Sequence, residues 1–175
     1  MSVRLILLLF LALASPALAQ GFAGLGSDAE GFAMPQRGQD LQFPRDHGAH
    51  PDFRIEWWYL TANLQAADGT AYGAQWTLFR SALAPRDEPG WQSPQLWMGH
   101  AALTTGQKHY SAERLGRGGI GQAGVTLSPF TAAIDDWSMA SHAAATADQL
   151  SALDIRATGE GFSYRLSLDA QGPLV

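Results

Sequence analysis

The chain is 175 residues long, contains no cysteine and carries a formal net charge of −5 at pH 7. Such mild acidity argues against nucleic acid as a partner, because phosphate contacts need clustered Lys and Arg. Without cysteine, neither a disulfide framework nor a thiol nucleophile is available, so stability must come from a packed core.

Residues 1–19 read as a secretory signal peptide. Arg4 supplies the positive end, Leu5–Ala14 an uninterrupted apolar run, and Ala17, Leu18 and Ala19 a small-residue cut site before Gln20. The run is about ten residues, short of the roughly 20 that span a bilayer. The expected location is therefore the periplasm or the exterior. Residues 20–42 mix Gly, Ser, Pro and charge without a period and read as an extended leader. Residues 43–175 are expected to form one domain, long enough to bury a real core.

From Phe53 the pattern has period two. Ile55, Trp57, Tyr59 and Thr61 fall on one face of a strand, and Glu56, Trp58, Leu60 and Ala62 on the other. Asp68-Gly69 is a hairpin signal, after which Tyr72, Ala74, Trp76, Leu78 and Arg80 alternate with Gly73, Gln75, Thr77 and Phe79. Residues 81–95 contain three prolines and read as a long connection to a strand over Leu96–Leu103. Residues 108–117 fit a strand or a helical turn equally well, and are taken as strand. Gly116–Gly124 reads as a flexible loop, Val125–Phe130 as a short strand, and residues 130–139 as one further strand. Leu150–Thr158 and Phe162–Leu168 alternate across Gly159-Glu160-Gly161 and predict a hairpin. Ala143–Leu150, rich in alanine, fits a loop turn or a short helix.

About eight or nine short antiparallel strands suggest a sandwich or an up-and-down barrel. Six tryptophans, eight phenylalanines and four tyrosines leave large residues on both faces of several strands. That favours an all-β barrel around an apolar, ligand-holding cavity.

Candidate chemistry concentrates in Phe43–Leu64, FPRDHGAHPDFRIEWWYLTANL. His47 and His50 form H-x-x-H beside Asp46 and Asp52, but Gly48 and Pro51 exclude the helix that a zincin pair needs, so a hydrogen-bonded loop is favoured over a metal site. Glu56 lies among aromatics, where a carboxyl serves either as a general acid or as the partner of an arginine such as Arg80 on the next strand. His100 is placed with Leu96 and Met98 on an apolar face, as a core residue or, if it shares a cavity with Glu56, as a proton carrier. Asp135 and Asp136, being adjacent on a strand, point to opposite sides and cannot work as a dyad. No phosphate loop, nucleophile elbow or cofactor motif is present.

FP-x-DHG-x-H followed by EWWY, together with YGAQWTLFR, WMGHAALT and IDDWSM, resembles the AttH-like family that includes carotenoid 1,2-hydratase. The resemblance runs from about Leu41 to the end of the chain. It implies a lipocalin-like (calycin) barrel, the first of a tandem pair whose second member lies outside this chain. Two functions are implied. One is a carrier of a hydrophobic lipid or isoprenoid, associated with an ABC-type membrane transporter, with His47, His50, Trp57, Trp76 and Arg80 as ligand contacts. The other is a hydratase adding water to an isoprenoid double bond, with Glu56, Tyr59 and His100 as catalytic candidates. Neither implies a cofactor or a metal.

Overall fold

The structure, a computed structural model, describes residues 30–144 and 147–172. The signal peptide expected at 1–19 lies outside the described residues. So does the first part of the leader.

Nine strands follow one another in the order β1 (Ile55–Gln65), β2 (Ala71–Ala82), β3 (Gln95–Thr105), β4 (His109–Arg117), β5 (Ala123–Leu127), β6 (Phe130–Ile134), β7 (Trp137–Ser141), β8 (Ala152–Gly159) and β9 (Phe162–Asp169). They form two antiparallel meanders, a four-stranded sheet β1-β2-β3-β4 and a five-stranded sheet β5-β6-β7-β8-β9. The expected all-β antiparallel fold is thus present. Hydrogen bonding does not close the two sheets into a barrel: they lie face to face as an open sandwich.

Local chemistry explains the turns. Gly69 takes φ +86° beside Asp68, whose carboxylate accepts the Thr70 amide at 2.9 Å. Gly161 takes φ +79° in the β8–β9 hairpin. The segment 130–139, expected as one strand, is two. Asp135 adopts φ +51°, a left-handed conformation that Asp tolerates at a tight turn, and the chain reverses between β6 and β7. Of residues 108–117, His109–Arg117 form strand β4, while no regular helix occupies the described part of 143–150.

The core sits between the sheets. Trp76, Leu78, Phe130, Ile134, Trp137 and Ile155 are fully buried there. In the register of the first sheet Glu56, Arg80, Trp97 and Gly116 form one cross-strand row, and Trp58, Leu78, Gly99 and Arg114 the next. Gly99 and Gly116 allow the second sheet to approach: a Cβ on Gly99 would stand 2.8 Å from Ile134 Cγ2, and one on Gly116 3.1 Å from Ile134 Cδ1. The sheets are also tied by the Tyr164 hydroxyl, which donates to the Gln75 carbonyl at 2.6 Å. A filled interior therefore stands where a central cavity was expected. A sizeable opening lies toward one end of the sandwich.

Candidate functional site: a cleft beside a buried arginine

That end is organised by Arg80, the last inward-facing residue of β2 before Ala82. Its side chain is 1% exposed, and a charge so buried requires partners on every side. It has them. Nε donates to Glu56 Oε2 at 2.8 Å, Nη1 to Gln95 Oε1 at 2.6 Å, and Nη2 to the carbonyls of His50 and Phe53 at 2.7 Å each. Nη2 also lies 2.7 Å from Glu56 Oε2, so the ion pair expected between β1 and β2 is formed.

The D-H-G-A-H loop curls back to meet this pair. The His50 amide donates to Glu56 Oε2 at 2.8 Å, and His50 Nδ1 lies 2.6 Å from Oε1. His50 Nε2 stands 3.4 Å from Asp46 Oδ1. The side-chain hydrogen bond from Arg45, followed by the Gln42 amide, holds the Asp46 carboxyl well below the usual carboxylate range. Trp58 closes the loop from below, donating its indole N–H to the His47 carbonyl at 2.9 Å and stacking on Trp97 at 5.8 Å.

Next to this knot opens a cleft of about 1000 Å³. Pro51, Phe53, Trp97 and, from β5, Val125 and Leu127 line it together with Asp52, Asp87 and Glu88. Both a buried polar network and apolar side chains line it. Ligand sites commonly have this make-up.

The residues singled out in the sequence divide into three groups. His50 and Arg80 line the cleft, with Glu56 holding both from behind. Trp76 and His47 are buried elsewhere: Trp76 is 0% exposed in the core, and His47 stacks on Phe43 with Nε2 3.4 Å from Asp148. Trp57, Tyr59 and His100 lie on the outer face of the first sheet. Trp57 and Tyr59 are 54% and 64% exposed. His100 packs edge-on against Phe79 and stands 3.7 Å from Glu113. The condition placed on His100, a cavity shared with Glu56, is not met, because the row Glu56-Arg80-Trp97 points inward and His100 is odd to Trp97 in the pleat. Among the described residues no group of three or more His, Asp or Glu side chains is arranged to hold a metal ion.

Residues the sequence reading did not mark include Ser93, Gln95, Trp97 and Gly118. A signal was available. Gly118-Gly119 directly follows a strand, which marks close backbone approach as readily as flexibility. Here Gly118 N donates to Gln95 O at 2.9 Å, and Gly119, at φ +79°, packs against Gly90.

Comparison with known proteins fits this architecture. A crystal structure from Nitrosomonas europaea, described as an AttH protein, superposes with a TM-score of 0.62 at 30% identity. The match covers 81% of this chain and 41% of that one, so the chain spans less than half the length of this relative. No curated protein matches the chain. The AttH-like family model matches residues 34–175, which takes in the D-H-G-A-H loop, the buried arginine and both sheets. The chain belongs to the AttH-like family.

Proposed function

We propose that this protein is an exported, lipocalin-like carrier that holds a hydrophobic small molecule, a lipid or isoprenoid, in the cleft between the sheet ends. The observation that carries the reading is the cleft itself. Its Phe53, Trp97, Val125 and Leu127 walls supply apolar area, while Arg80 and its partners fix the shape without moving parts. The apolar leader sequence supports export to the periplasm or exterior. Delivery to an ABC-type membrane transporter is an extension that rests on the family resemblance alone.

The geometry supports a carrier better than a hydratase. Protonating a double bond needs a carboxylic acid presented to the substrate. Glu56 instead directs one oxygen at Arg80 and the His50 amide and the other at His50 Nδ1, and so serves as an anchor. Tyr59 and His100, on the far face of the sheet, cannot assist it.

Titration with N-phenyl-1-naphthylamine, a neutral apolar dye that brightens out of water, tests the reading. A saturable rise in emission that a long-chain lipid reverses, and that Leu127→Arg abolishes without loss of folded signal, is the expected result. Absence of saturable binding, or equal binding by Leu127→Arg, would sink the carrier reading.

A further inference from the structure

The outer face of the first sheet does not have the make-up of a solvated surface. An antiparallel sheet with one face on the core ordinarily carries polar and charged residues on the other. Here the outward positions include Trp57, Tyr59, Leu96 and Leu115, all exposed, and exposed Leu83 continues the same face just beyond β2. Four cross-strand rows of four residues, from Ile55-Ser81-Leu96-Arg117 to Thr61-Gln75-Ala102-Ser111, give sixteen outward positions. Only Glu113 and Arg117 among them carry a formal charge. Aromatic residues and Met enriched, and charge depleted, is the composition of the centre of a protein–protein interface. Among the described residues nothing covers this face, since the second sheet packs on the opposite side against Trp76 and Leu78.

The two charges say what fits there. Glu113 and Arg117 stand two residues to either side of Leu115 on β4 and share its face. The Arg117 guanidinium donates to the Trp91 carbonyl at 2.8 Å and has no carboxylate partner among the described residues. The Glu113 carboxylate has His100 at 3.7 Å and neither arginine nor lysine. A two-fold axis laid along the row Trp57-Phe79-Met98-Leu115 reverses the strand direction of a facing copy. Leu115 then meets its own equivalent, and Glu113 of each copy lies over Arg117 of the other. Sheets packed face to face stand about 10 Å apart, a gap that two long side chains span between them. The face is therefore self-complementary in charge.

Area sets the strength of the pairing. Four strands about 4.8 Å apart, crossed by five rows about 6.8 Å apart when the row at Leu83 is included, give about 500 Å² per copy. The resulting total of about 1000 Å² is the lower limit for a specific interface, which makes the association weak and reversible.

We propose that the outer face of the β1–β4 sheet is a docking surface for a second copy of this chain. Trp57, Met98 and Leu115 form its apolar centre, and two Glu113–Arg117 pairs fix its two-fold register. The proposal does not depend on what the cleft holds.

Sedimentation velocity of the purified chain over about 1 to 200 µM, at low ionic strength, tests it. A monomer–dimer equilibrium with a Kd of about 1–100 µM is expected. Leu115→Glu, at an exposed position, is expected to raise the Kd about tenfold or more. Glu113→Arg and Arg117→Glu each set like charges against one another, and are expected to weaken the pair about three- to tenfold. The double variant is expected to return it to near the wild-type value, with near-ultraviolet circular dichroism reporting that each variant is folded. A wild-type chain that stays monomeric throughout, a result that needs no variant to fold, would overturn the proposal. A shift of Trp57 on adding phosphatidylcholine vesicles would in that case give the face to a membrane. A dimer that Leu115→Glu leaves unchanged would put the contact elsewhere and overturn the proposal as well. So would single reversals that weaken the dimer without rescue by the double variant, because the two-fold register requires that rescue.

Discussion

The knot around Arg80 and the apolar walls of the cleft share one end of the sandwich and are built in opposite ways. In the knot every partner is internal: Glu56, Gln95 and two backbone carbonyls receive the guanidinium, and His50 and Asp46 continue the chain of contacts. The walls, with Phe53, Trp97, Val125 and Leu127, instead present apolar side chains to the opening. Complete satisfaction fixes structure, since a paired buried charge is costly to disturb. Apolar surface around an opening leaves binding capacity. The difference assigns stability to one set of residues and recognition to the other.

Substitutions sharpen that division. Arg80→Met has the largest expected effect, about 3–5 kcal/mol of lost stability, because Glu56 and the His50 and Phe53 carbonyls lose their shared donor. Denaturant midpoints measure it, and a loss below about 1 kcal/mol would show that the knot is not structural. Glu56→Gln keeps the shape and one acceptor but leaves the Arg80 charge uncompensated, for an expected cost of about 1–3 kcal/mol. Near-wild-type stability combined with loss of a hydrated product would instead return Glu56 to the hydratase reading. Trp97→Phe trims a ring and removes an unsatisfied donor, so its stability cost stays under about 2 kcal/mol while dye binding in the cleft weakens. A variant that loses much more stability than this yet, where folded, binds the dye as the wild-type chain does would reverse the assignment.

The smallest effect is a change of pH slope. Asp46, depressed by Arg45 and the Gln42 amide, contributes stability that is present above the ordinary carboxylate pKa near ~4 and is lost as pH falls below it. Asp46→Asn should therefore flatten the acid limb of the stability profile between about pH 5 and 2 and leave the neutral region with little pH dependence. An unchanged acid limb would mean that the loop is not tethered through this carboxylate.

Much of the scaffold was legible because alternation with period two survives in β1 and β2. The inward rows of both strands, and Glu56 opposite Arg80, follow from parity and one Asp-Gly turn. Parity failed at β3. LWMGHAAL carries large residues on both faces, so the face of His100 could not be read from that strand alone. The register with β2 and the need for Gly99 to admit Ile134 settle it. Closure into a barrel was illegible for a related reason: it depends on pairing between edge strands, and no local pattern encodes whether β1 and β4 meet the other sheet through hydrogen bonds or only through side chains. The close approach at Gly118 escaped notice because a Gly-rich run reads as a loop as readily as a packed contact.

The outer face of the first sheet is a useful control. The row Trp57, Phe79, Met98 and Leu115 leaves apolar surface exposed, with Leu115 76% accessible. It offers a ligand apolar area but no second sheet of the same chain to enclose it.

The most direct test of the account follows the six indole N–H signals of the chain by two-dimensional ¹H–¹⁵N NMR during titration with 2-dodecanone. The account predicts that the Trp97 indole signal moves furthest, together with the backbone amides of Gly118, Gly119 and Val125, while Trp57 on the outer face stays in place. A Trp57 signal that moves while Trp97 remains fixed would contradict it.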